Sequence, residues 1–88
     1  MIEKEVDITN KVGLHARAAS LLVEAAHKFR SRIWIEKDGQ VADGKNIMSL
    51  LLLAADKGSS IKIRTKGSDA AEAVQTLVRL VKNKFGEE

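Results

Sequence analysis

At 88 residues the chain has room for one domain around one hydrophobic core, and folding buries only roughly 60–65% of the surface that the unfolded chain exposes. With 44% hydrophobic and 31% charged residues it reads as soluble and globular, and the absence of cysteine excludes a disulfide framework or a thiolate metal site. A net charge of +3 does not make it a nucleic-acid binder, because acidic residues are interspersed with the basic ones and Phe29, Trp34 and Phe85 are too few for a stacking platform. The opening Met1-Ile2-Glu3-Lys4-Glu5 has neither a basic n-region nor an apolar h-region, so no secretory signal is expected. The longest apolar run, residues 50–55, is too short to span a bilayer. A cytoplasmic location without membrane insertion is the expectation.

Residues 2–9 alternate, with Ile2, Val6 and Ile8 on one side and Glu3, Glu5 and Asp7 on the other, which predicts a half-buried strand. Gly13-Leu14-His15-Ala16-Arg17 interrupts the pattern. Over residues 16–29 the spacing turns helical: Ala18, Leu22, Ala25, Ala26 and Phe29 share one face, and Ser20, Glu24, His27 and Lys28 the wetter one. A second strand is predicted over 32–36, with Ile33 and Ile35 inward and Trp34 outward. Asp38-Gly39 then signals a hairpin into a short return strand over 40–43.

After the Asp43-Gly44 turn, Asn46 is placed to cap a short helix from 47 to about 55, stopped by Gly58. Ile61, Ile63 and Thr65 mark one face of a fourth strand, and Lys62, Arg64 and Lys66 the other. Asp69, with Glu72 three residues on, reads as a capping box for the last helix. Its buried stripe is Val74, Leu77, Val78, Val81 and Phe85; Lys82 and Lys84 suit its negative end, and Gly86 ends it. The order strand, helix, strand, strand, helix, strand, helix implies an α+β fold. In it an antiparallel sheet has one solvated face and three helices on the other. Periodicity leaves the strand order open.

Chemistry concentrates at one place. His15 falls at or next to the N-cap of the first helix, after the flexible Gly13-Leu14 pair. A first helical turn leaves N–H groups without intrahelical partners, here those of Ala16, Arg17 and Ala18, and the macrodipole adds partial positive charge. Both features attract an oxyanion such as phosphate, and Arg17 offers a guanidinium for bidentate contact. The same positive end disfavours imidazolium, so His15 is expected to be neutral and nucleophilic. A neutral imidazole can attack a phosphoryl donor, and the helix terminus can hold the charged product. The plain alternative is an ordinary cap or loop histidine. His27, on the polar face of a regular helix, is read as solvated, and two histidines twelve positions apart without cysteine make no metal site.

The helix after Asn46 is apolar nearly all round, carrying Ile47, Met48, Leu50, Leu51, Leu52 and Leu53. A one-sided sheet can bury only part of that circumference. Leu50 and Leu53 are expected inside, with Ile47, Met48 and Leu51 forming an exposed docking patch and Lys45 on its rim steering an acidic partner. A fully buried helix is the alternative.

Asn10-Lys11-Val12-Gly13-Leu14-His15-Ala16-Arg17-Ala18-Ala19 closely resembles the active-site segment of the histidine-containing phosphocarrier (HPr) family. Gly44-Lys45-Asn46-Ile47-Met48-Ser49-Leu50 is similar to that family's second signature, and the resemblance spans essentially the whole chain. It implies an open-faced β-sandwich over residues 1–88 with strand order 1-4-2-3. It also implies a non-enzymatic carrier without cofactor, phosphorylated on Nδ1 of His15 by enzyme I, which phosphoenolpyruvate charges. The phosphoryl group then passes to a histidine of an enzyme IIA-type acceptor of the phosphotransferase system. Arg17 would assist the phosphoryl group. The first helix, with Ser20 on its wetter face, would join the helix after Asn46 in docking partners, and a monomer is expected.

Three departures matter. Ala18 stands where most sugar-system members have proline, and with the closing Phe85-Gly86-Glu87-Glu88 it is similar to a nitrogen-related branch. That favours an alternative reading as a regulatory module whose His15 phosphorylation state controls docking to non-transport proteins. Val12 replaces a small polar residue. Asn46 stands where many members carry a regulatory serine; it keeps the cap acceptor but has no hydroxyl to phosphorylate, and Ser49, in the first helical turn, is a poor substitute. A third class, a small hydrolase of phosphate esters or acyl phosphates, is disfavoured because no second general acid or base is evident beside His15.

Overall fold

The computed structural model describes residues 1–87. Its elements are β1 (Ile2–Asp7), α1 (Ala16–Ala26), β2 (Arg32–Lys37), β3 (Gln40–Asp43), α2 (Ile47–Leu52), β4 (Ser60–Lys66) and α3 (Ala70–Lys82), followed by a 3₁₀ turn over Lys84–Gly86. The order of elements and the four strands agree with the alternation in the sequence. The sheet is antiparallel throughout, in the order β1-β4-β2-β3.

Register follows from which residues must be dry. Val6 lies opposite Ile61, Ile63 opposite Ile35, and Ile35 in turn opposite Ala42; all five are buried on one face. Leu22 of α1, Leu50 of α2, and Val74, Leu77 and Val81 of α3 complete this core, so the three helices cover that face. The other face is wet. There Arg64 donates to Glu3 on β1 at 2.6 Å and to Glu36 on β2 at 2.8 Å, and the Arg32 guanidinium lies over the Trp34 ring. Opposite charges in neighbouring strands stabilise a face that has no packing partner. The hairpin turn between β2 and β3 has both Asp38 and Gly39 at positive φ (50° and 83°), the geometry that matches strand twist in a two-residue loop.

Helix ends differ from the sequence reading. Helix α1 stops at Ala26 with His27 as its exposed C-cap, and Phe29 is only half-buried. Helix α2 ends at Leu52, not near residue 55: Ala54 takes a left-handed conformation (φ 50°), and the Lys37 ammonium donates to the free carbonyls of Leu53 and Ala54 at 3.2 and 3.0 Å. Gly58 (φ 92°) therefore shapes the next loop and does not stop the helix. Helix α3 ends at Lys82. Lys84 and Phe85 are both left-handed (φ 57° and 55°), so Phe85 is buried by a tight reversal of the chain and not by continuing the helical stripe. The two left-handed residues together cost about 2–4 kcal/mol, of which burial of the ring offsets about 1.5–3 kcal/mol. Glu88 lies outside the described residues.

The capping box at Asp69 is not formed. Asp69 occupies the N-cap position, but its carboxylate accepts from Arg30 N, Ser31 N and the Ser31 hydroxyl, tying α3 to the loop before β2. The Ser31 hydroxyl, followed by the Arg30 amide, lowers the Asp69 pKa from 3.8 to about 2. A depressed folded-state pKa means that stability is fully present above the unfolded value and is lost as pH falls from about 4 through about 2. Asp69→Asn is therefore expected to melt below wild type at neutral pH, with the two converging as pH approaches 2. A series of thermal melts against pH checks this; a constant gap across the range would contradict it.

Candidate functional site

The loop between β1 and α1 is fixed from both sides. Ile8 N donates to Ser59 O and Gly58 N donates to Ile8 O, both at 2.8 Å, extending the β1–β4 pairing past the strand ends. Leu14 N donates to Ala55 O at 2.8 Å, and buried Leu14 anchors the loop in the core. Gly13 sits at φ 70°, and a Cβ there would lie 2.6 Å from the same Ala55 oxygen. Only glycine fits that approach. The chain then enters α1 with His15 as N-cap in extended conformation (φ −85°, ψ −178°), and the first intrahelical bond runs from Ala19 N to His15 O.

The N–H groups of Ala16, Arg17 and Ala18 thus precede the helical ladder. Ala16 and Arg17 are exposed, whereas Ala18 is fully buried. Ala18 belongs to the core on the buried face of α1.

The His15 side chain does not cap its own helix. Its Nε2 lies 2.6 Å from Glu87 Oε2, with the imidazole one-third exposed and the Glu87 side chain 17% exposed. The other Glu87 oxygen accepts from Asn10 Nδ2 at 2.9 Å, and the same amide nitrogen donates to Gly13 O at 2.7 Å. Asn10 is fully buried, and its Oδ1 has no partner among the described residues. Both neighbours of Nδ2 are acceptors, which fixes the orientation of the amide. The Asn10 amide first, and then the His15 ring, hold the Glu87 carboxylate below the ordinary carboxylate range. Among the described residues Nδ1 of His15 takes no hydrogen bond.

Glu87 is the site residue that sequence reasoning missed, and it corrects the expectation that no second acid or base stands beside His15. No local pattern marks it, since it lies 72 positions away.

The remaining candidates lie as follows. Ser20 is exposed on α1. On α2, which packs against α1, Leu50 and Leu53 are buried, while Ile47 and Met48 are 36% and 65% exposed and Leu51 is half-buried. Leu52, 77% exposed, joins Met48 on the outer side; the i, i+4 spacing of 48 and 52 could have shown it. Asn46 Oδ1 accepts from Ser49 N at 3.0 Å, so the cap is made without a hydroxyl. Lys45 is half-buried and donates to Phe29 O at 2.8 Å, bracing the turn after α1. Among the described residues no group of three or more His, Asp or Glu side chains is placed to hold a metal, and no helix is long and apolar enough to cross a membrane.

Fold and site together define a small open-faced α+β sandwich that presents a histidine at a helix start, next to an exposed arginine. The family model described as the PTS HPr component phosphorylation site matches residues 2–83. The chain is 42% identical over 87 residues to phosphocarrier protein HPr of Neisseria meningitidis, covering 99% of this chain and 98% of that one. It is 44% identical over 81 residues to HPr-like protein Crh of Halalkalibacterium halodurans, covering 92% and 96%. The crystal structure of HPr-C-His from Thermoanaerobacter tengcongensis superposes with a TM-score of 0.96 at 45% identity, covering 100% of this chain and 99% of that one. The chain belongs to the HPr phosphocarrier family of the phosphotransferase system.

Proposed function

We propose that the chain accepts a phosphoryl group on Nδ1 of His15 from phospho-enzyme I and passes it to a histidine of an enzyme IIA-type acceptor. The observation that carries this reading is His15 at the N-cap of α1, with its Nε2 engaged by Glu87 and its Nδ1 without a partner among the described residues. In the transfer the Nδ1 lone pair attacks phosphorus. The Nδ1–P bond forms as the bond to the donor's histidine nitrogen breaks, and that nitrogen keeps the electron pair. The second transfer reverses the roles, with phosphorylated His15 as donor.

The amides of Ala16, Arg17 and Ala18 and the positive end of α1 balance charge on the phosphoryl oxygens, and the exposed Arg17 guanidinium can close on them. Ile47, Met48 and Leu51, with Leu52 beside them and Ser20 on α1, form the docking surface. Lys45 contributes by holding the turn, since its ammonium is already committed to a carbonyl. In the same reading the chain works in the cytoplasm as a monomer, with no cofactor and no nucleic acid.

Incubation with enzyme I and phosphoenolpyruvate tests the reading, with the acid-labile adduct mapped by mass spectrometry. A single adduct on His15 is expected, and an adduct elsewhere would contradict it. Arg17→Ala is expected to keep the fold and slow the transfer by about 10- to 100-fold, as loss of one charge-assisted donor does. An unchanged rate would remove Arg17 from the site.

A further inference from the structure

The contact between His15 and Glu87 is built from the far end of the chain, and the whole geometry of the tail serves it. The reversal at left-handed Lys84 and Phe85 buries the Phe85 ring and returns the chain toward the start of α1. Glu87 then places one carboxylate oxygen on Nε2 of His15 and the other on the buried Asn10 amide. Asn10 is in turn fixed by Gly13 O, in the loop that precedes the histidine. The carboxylate is therefore held at both oxygens, and its direction toward the ring is set by a side chain that cannot move without losing two bonds.

An ionised carboxylate only accepts hydrogen bonds, so the ring nitrogen facing it must carry the hydrogen. We infer that Glu87 is a positioning residue: it fixes the proton of neutral His15 on Nε2 and leaves the lone pair on Nδ1 as the nucleophile. Glu87 then selects which nitrogen is phosphorylated. The inference rests on the proposal that His15 is the phosphoryl acceptor, and it assigns the choice of nitrogen to Glu87. As Nδ1 attacks, the ring keeps its Nε2 proton and gains positive charge, which the adjacent carboxylate balances without taking the proton. Arginine acts on the phosphoryl oxygens, whereas Glu87 acts on the opposite side of the ring.

The test uses potassium phosphoramidate, a small donor that needs no partner protein. The Nδ1–P bond forms as the donor's P–N bond breaks, and ammonia leaves with the electron pair. Two readouts are taken by nitrogen-15 NMR of the labelled full chain: the tautomer of neutral His15, and the nitrogen that bears phosphorus. Wild type is expected to show the Nε2–H tautomer and the Nδ1 adduct. Glu87→Ala is expected to show a tautomer mixture and an Nε2 share raised by about tenfold or more, the factor set by one charge-assisted hydrogen bond. Glu87→Gln offers one accepting oxygen to two donors, Asn10 Nδ2 and His15 Nε2, so it is expected to restore the tautomer and the selectivity only in part, between Glu87→Ala and wild type.

A Glu87→Ala protein with wild-type tautomer and wild-type selectivity would overturn the inference. So would faster labelling at an unchanged nitrogen, which would make the carboxylate an obstacle to the donor. Neither readout involves enzyme I or an acceptor, so failure here is separate from failure of the carrier role.

Discussion

His15→Ala is expected to take no label from enzyme I and phosphoenolpyruvate, falling to background, while melting within a few degrees of wild type. The two halves of that outcome have different causes. Alanine has no nucleophilic nitrogen, and His27, exposed at the C-cap of α1, lies at the opposite end of that helix, away from the amides of Ala16 and Arg17. Stability changes little because the imidazole caps no helix and is one-third exposed; its hydrogen bond among the described residues is to Glu87. Thermal melts and label incorporation on the same preparation check both halves. Residual label at the wild-type level would place the acceptor on another residue.

Gly13→Ala is expected to cost the most stability of any single methyl group added near the site. Its Cβ would meet Ala55 O at 2.6 Å and Asp56 Cα at 2.8 Å, both backbone atoms that cannot rotate away. The Ala55 oxygen is also the acceptor for Leu14 N, so relieving the overlap stretches the bond that seats the loop. Left-handed strain of about 1–2 kcal/mol adds to overpacking of about 1–3 kcal/mol. The sum, about 2–5 kcal/mol, is a large part of the stability of a domain this size and lowers Tm by at least about 10 °C. Because Gly13 O also accepts from Asn10, the variant is expected to loosen the Glu87–His15 contact as well. Calorimetry and the His15 tautomer measured together check this; a wild-type Tm would show that the segment at 55–56 yields freely.

Much of the fold is legible in the sequence because a strand's side-chain period is local and the sheet has one dry face. Ile33 and Ile35, or Ile61 and Ile63, reveal their strands without knowledge of any partner, and Asp38-Gly39 joins β2 to β3 through a turn chemistry that few other residues satisfy. The strand order is not carried by periodicity and came from the resemblance. Helix ends are not legible where the deciding contact is distant. Asp69 spends its carboxylate on the Ser31 loop, and α2 stops at an alanine that Lys37 helps to hold, while glycine sits four residues later.

The site divides in the same way. His15, Ala16 and Arg17 are neighbours in sequence, and their position at a helix start follows from the switch of period. Glu87 is invisible locally, because its place depends on two left-handed residues that no propensity favours and on a buried asparagine at the other end of the chain. The exposed side of α2 is half legible: the pattern separates Leu50 and Leu53 from Met48, but it does not assign Leu52 a side.

The carrier role is tested most directly by a pulse and chase. The chain is first labelled by enzyme I with phosphoenolpyruvate, freed of the donor, and then mixed with an enzyme IIA-type acceptor. The expected result is one phosphoryl group on Nδ1 of His15 that leaves for the acceptor's histidine, mole for mole, with little free phosphate. Label that stays on the chain, or appears mainly as inorganic phosphate, would contradict a phosphocarrier acting through His15.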